Sequence, residues 1–110
     1  MQNSKKFKLC PDQIKDLIPH MGGCLATDKI TVEGLPVKFM YRQKPDFEHD
    51  TGWIFLSGTE TQAYLDDHTN TMIYEVNTIA NYDNAIIPYL SLPIGTDLER
   101  VDETGTFISC

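Results

Sequence analysis

Residues 39–58, FMYRQKPDFEHDTGWIFLSG, restrict the possible folds more than any other stretch. Across residues 37–42, Val37, Phe39 and Tyr41 share one face by a period of two, and Lys38, Met40 and Arg42 share the other. Residues 43–52 then carry Pro45, Gly52 and the acids Asp46, Glu48 and Asp50, with Glu60 just beyond the next strand. A segment of that composition belongs in solvent. Trp53, Ile54, Phe55 and Leu56 run apolar without alternation, which predicts a central strand covered on both faces. Two apolar strands joined by one polar loop are expected to pair in a single sheet.

The rest of the chain adds short elements. Residues 11–18 predict a helix: Pro11 suits its first position, Ile14, Leu17 and Ile18 give an apolar edge, and Pro19 stops it. Cys24, Leu25 and Ala26 read as a strand after Gly22 and Gly23, and residues 28–34 as a strand or extended turn, the whole resembling an antiparallel meander. Ser57 with Glu60, or Thr59 with Gln62, can cap a helix that turns Tyr64 and Leu65 inward. Residues 72–76 resume strand character. Asn77 and Asp83 are candidate N-caps of short helical turns, which Pro88 keeps from lengthening. Pro93 and Gly95 bracket a turn, and residues 97–101 and 106–109 predict a hairpin. The expected architecture is one α+β domain over residues 1–110. It has a mainly antiparallel sheet of roughly five to seven short strands with short flanking helices, and residues 1–9 frayed.

A chain of 110 residues is long enough to bury its own core without a disulfide or metal. Nine basic residues against sixteen acidic ones give a formal net charge of −7. That balance opposes binding to nucleic acid or to an anionic membrane surface and favours a basic protein partner or plain solubility. Cys10, Cys24 and Cys110 are odd in number and lack C-x-x-C spacing, so a reducing, cytoplasmic compartment is expected. Cys10 follows Lys5, Lys6 and Lys8 with no apolar run before it, which reads as neither a signal peptide nor a lipoprotein signal.

Candidate chemistry is sparse. Glu48, His49 and Asp50 are adjacent, so in an extended chain they alternate sides and do not converge on a metal. His20 and His68 read as surface residues. A Cys24–His20 nucleophile pair is opposed by the apolar strand around Cys24, where a thiol is usually inert. No nucleophile elbow, P-loop, zinc-protease or dinucleotide motif is present, and no catalytic residue, metal or cofactor is assigned. Arg42 with Asp46, Glu48 and Asp50 can form a charge network at the loop mouth, or the loop can be simply solvated. Trp53 reads either as core, sharing a face with Phe55, or as a partly exposed anchor.

The segments MYRQKPDFEHDTGW, FLSGTETQAYLDD, YEVNTIANYD, IIPYL and PIGTDLER, in that order, resemble a bacterial family known as domain of unknown function 2185, or the immunity protein 33 family of polymorphic toxin systems. The resemblance covers roughly residues 24–100. Thr51 stands where the family commonly has serine, and Ile54 where it often has a polar residue. The resemblance implies an α+β fold and a cytoplasmic protein that binds and neutralises a toxin domain; it carries over no catalytic residue. The partner surface expected is the 43–52 loop with Glu60, with Arg42, Asp46, Glu48, Asp50, Trp53 and Glu60 as candidate contacts. The competing expectation is a regulatory or small-ligand module in which Trp53, Tyr41 and Arg42 line a pocket; a small hydrolase comes third.

Overall fold

The computed structural model describes residues 5–101 and 105–109. Its strands are β1 (Gly23–Thr27), β2 (Phe39–Arg42), β3 (Asp50–Leu56), β4 (Thr71–Glu75), β5 (Asp97–Arg100) and β6 (Phe107–Ser109). Its α-helices are α1 (Asp28–Thr31), α2 (Gln62–Asp66) and α3 (Val76–Tyr82), and 3₁₀ turns occur at Pro11–Gln13, His68–Asn70 and Asn84–Tyr89. The six strands form one sheet in the order β4-β1-β3-β2-β5-β6. The fold is α+β, as expected.

β2 and β3 are antiparallel neighbours, with Arg42 opposite Trp53 and Met40 opposite Phe55. The meander reading of the first half is corrected. β3 enters between β2 and β1 and runs parallel to β1, while β4 closes the other side of β1 antiparallel. The C-terminal hairpin forms as β5 and β6, and its tip at residues 102–104 lies outside the described residues.

The sheet is covered on one side. Cys24, Ala26, Met40, Trp53, Phe55 and Leu98 project from one face and are buried with Ile30, Val76, Ile79 and Ile86 from the helical layer. The Trp53 and Phe55 rings stack at 6.1 Å, two residues apart on the same face. β3 is therefore central but not covered on both faces: Ile54 and Leu56 point the other way and are only half-buried. In β2 it is Met40, not Phe39 or Tyr41, that reaches the core. Val37 is also buried, but it precedes the strand and is turned inward by donating its N–H to Asp83 Oδ2 at 2.9 Å.

Three local expectations fail for identifiable reasons. Residues 11–18 keep helical form only at Pro11–Gln13. Beyond it the backbone bonds to side chains of α3 instead of to itself: Asn81 Oδ1 accepts from Lys15 N, Asn77 Oδ1 accepts from Leu17 N, and both amide groups donate to Lys15 O. Asn77 thus sits inside α3 with its side chain turned outward, and it is not a cap; Asp83 does cap, accepting from Ala85 N. Residues 28–34 are not extended: residues 28–31 are helical and 32–33 form a turn. The Leu35 N–H reaches Lys29 O and the Gly34 N–H reaches Ile30 O, with Gly34 at φ 78°. The Gly34 N–H bonding back to Ile30 O, with Gly34 in the left-handed region, is an αL helix cap. Finally, α2 is capped by Thr61, whose side chain accepts from Tyr64 N, and not by Ser57 or Thr59.

Candidate functional site

The connection between β2 and β3 spans residues 43–49, shorter than expected because β3 already begins at Asp50. Its shape is fixed from within. Asp50 accepts from Asp46 N (2.7 Å) and from Gly52 N (2.8 Å), and Gln43 N donates to Gly52 O. The loop is also bound to the start of β1, where Gly23 N donates to His49 O at 2.8 Å. Gly22, at φ 120°, permits this approach; a Cβ there would run into the His49 carbonyl. Asp46 and Glu48 remain exposed, and Glu48 lies 3.4 Å from the His49 imidazole.

The other candidate contacts are turned inward. Trp53 is completely buried, its indole N–H donating to Leu90 O at 3.1 Å, so its ring offers no face to a partner. Arg42 forms no ion pair with Asp46, Glu48 or Asp50 among the described residues. Its Nε donates to Thr51 O and its Nη1 to Leu92 O, both at 2.8 Å, and its guanidinium lies 5.7 Å from the Trp53 ring centroid. The Asp50 carboxylate is used to shape the loop.

Glu60 is held in the same way. Its Oε2 accepts from the Thr27 hydroxyl at 2.5 Å and from Ser57 N and Oγ, while Oε1 accepts from Gly58 N. Burial pushes its pKa up, but these hydrogen bonds outweigh burial and hold it below the ordinary value. Glu60 also sits at the far end of β3 from the 43–49 loop, about 20 Å away by the strand rise. The two segments therefore do not make one patch.

They bracket a different feature: the sheet face that carries no helices. Register aligns Ile73, Leu25, Ile54 and Tyr41 across β4, β1, β3 and β2, and Leu56 with Phe39 beside them. None of these apolar side chains is buried, and Ile73 is 57% exposed. At one end Phe47 leans from the loop toward Gly23 and Ile73. At the other the 57–60 turn closes over Thr27. This face is absent from the sequence reading. The alternation that reveals it exists, in Leu25 between Cys24 and Ala26 and in Ile54 between Trp53 and Phe55, but unbroken apolar runs hide it.

Along the β4 edge of this face, His20, Gly23, Phe47, Glu48, Ile73 and Glu75 line an open cleft of about 420 Å³. His20 Nδ1 lies 3.5 Å from Glu75. Among the described residues no group of three His, Cys, Asp or Glu side chains is placed to hold a metal. The Cys24 thiol is buried and pushed strongly up, first by burial and then by Asp50, so it stays protonated. Tyr41 and Trp53 point to opposite faces of the sheet, so with Arg42 they do not line the shared pocket expected of a small-ligand module.

A family model described as the Immunity protein Imm33 domain matches residues 24–110. This chain belongs to the Imm33 immunity-protein family. The Imm33 match contains β1 from Cys24 onward and β2 through β6, and with them the apolar residues of the open face and the 43–49 loop. It leaves out the N-terminal segment that Asn77 and Asn81 hold against α3. No curated protein and no solved structure matches the chain.

Proposed function

We propose that this chain is a non-enzymatic immunity domain that binds a protein toxin domain and holds it inactive in a bacterial cytoplasm. The observation that carries the reading is the Imm33 match over residues 24–110. Other features agree with it. The net charge of −7 suits a basic partner surface. The exposed acids Asp46 and Glu48 stand on a loop whose backbone is fixed by Asp50 and Gly23, so they are presented without a large ordering cost. Such charges steer encounter with a cationic surface more than they add final affinity. Among the described residues the one buried thiol, Cys24, is protonated and unsuited to nucleophilic chemistry. Among the described residues no helix is long and apolar enough to cross a membrane.

The experiment is co-expression. A toxin domain from the source genome, sought first among the genes adjacent to this one, is induced in a heterologous host with and without this chain. Growth restored by this chain, with the toxin still produced, supports the proposal; arrest that persists despite soluble expression of both proteins contradicts it.

A further inference from the structure

We propose that the helix-free sheet face is the docking core for the toxin domain, and that its occupant is a cationic protein surface presenting apolar side chains. The inference rests on the immunity reading and specifies where and how that partner is recognised. The centre of the face is apolar: Ile73, Leu25, Ile54, Tyr41, Leu56 and Phe39 meet there by register across four strands, none of them is buried, and among the described residues the helical layer packs on the opposite face. Isolated exposed apolar residues need no explanation, but a contiguous apolar patch rimmed by charge marks an interaction surface.

The rim supplies the partner's chemistry. Glu75 lies opposite Gly23 at one edge, and Asp97 and Glu99 lie opposite Tyr41 and Phe39 toward the other. Burial, and after it the nearby Asp97 carboxylate, raises the Tyr41 pKa. Glu48 adds a further exposed carboxylate from the loop that borders the face at Phe47. On the cationic side Lys38 lies 3.4 Å from Glu99 and offsets it. The balance is acidic, so a second copy of this chain is a poor occupant. Face-to-face packing of two copies brings like charges together around the apolar centre, whereas a Lys- and Arg-bearing surface is attracted to it.

The test uses the toxin domain of the co-expression experiment, purified and catalytically inactivated, with binding read by calorimetry. Ile73→Lys places a cation on the face at a side chain already exposed. Leu17→Lys does the same on the helical side, where Leu17 is 43% exposed. The expected result is at least a tenfold weaker Kd for Ile73→Lys, less than a twofold change for Leu17→Lys, and melting curves close to wild type for both. A photo-crosslinking side chain at position 73, but not at position 17, is expected to capture the toxin domain in an otherwise unaltered surface. Wild-type affinity for Ile73→Lys, or crosslinking from position 17 alone, overturns the assignment. So does a wild-type dimer in sedimentation that Ile73→Lys dissociates, because the occupant is then a second copy. A wild-type protein that does not bind the toxin at all fails the immunity reading itself, which the co-expression result reports separately.

Discussion

The guanidinium of Arg42 lies over the ring of Trp53, 5.7 Å from its centroid, the two residues standing opposite one another across β2 and β3. In sequence they form a pair of residue types enriched at binding hot spots, beside an acidic loop. In the fold both serve the core. Trp53 packs on Phe55 and donates to Leu90 O, and Arg42 ties β2 to the carbonyls of Thr51 and Leu92. Trp53→Ala is expected to cost about 3–5 kcal/mol in denaturant unfolding, the range for a large buried ring replaced by a cavity. A loss below about 1 kcal/mol is incompatible with the burial seen.

Asp83 joins three parts of the chain. It accepts from Arg100 Nη1 at 2.7 Å, from Val37 N and from Ala85 N, and it and Arg100 are mostly buried. Asp83→Ala leaves a largely buried guanidinium and a buried N–H without their acceptor. The expected loss is about 3–5 kcal/mol. Surface ion pairs such as Lys29–Glu33 should change stability by under about 1 kcal/mol when either partner is removed, which calibrates the same unfolding measurement.

Asn77 and Asn81 act as a template for residues 15–18. Asn77→Ala removes an acceptor from Leu17 N and a donor to Lys15 O. Global stability should fall by about 1–2 kcal/mol. Amide exchange at Leu17 should rise by more than the global loss accounts for, while Cys24 and Phe55 speed up only by the amount that loss sets. Equal acceleration throughout the sheet contradicts a local role.

The Glu60 carboxylate gives a pH dependence with a definite sign. Its folded pKa lies below the ordinary 4.5, so the folded state binds the proton less readily than the unfolded chain. The stability it contributes is present above the ordinary value and is lost as pH falls through the lower folded value. Melting curves of wild type and Glu60→Gln, taken between about pH 6 and pH 3, should converge toward the acid end. A constant gap across that range contradicts the assignment.

The sequence made the β2–β3 pair, the C-terminal hairpin and the α+β class legible because each rests on local pattern. Strong apolar strands, a polar connection and Asp83 as a cap all act within a few residues. What it hid is set by distant partners. The helix expected at 11–18 loses to the amides of Asn77 and Asn81, some sixty residues away. The parallel register of β1 with β3 depends on an insertion between strands that no local pattern announces. The αL helix end at Gly34 is legible as a glycine after an apolar pair, but the Ile30–Val32 alternation imitates a strand. In the site, only the exposed acids of the loop stand where composition alone puts them. Arg42, Trp53, Asp50 and Glu60 have their polar groups engaged internally, and the apolar face opposite Trp53 is visible only once the strand faces are known.

Neutralisation of a basic toxin domain by binding, as proposed above, can be tested on the purified components. The most direct measurement is the activity of the purified toxin domain titrated with wild-type protein at low and high salt, and with Asp46→Lys/Glu48→Lys at low salt. Inhibition is expected to be complete near equimolar protein. Association should be slower at high salt and for the double variant, since exposed charges are screened over ~8–10 Å, and the double variant's melting temperature should be nearly unchanged. Full toxin activity in the presence of excess folded wild-type protein contradicts it.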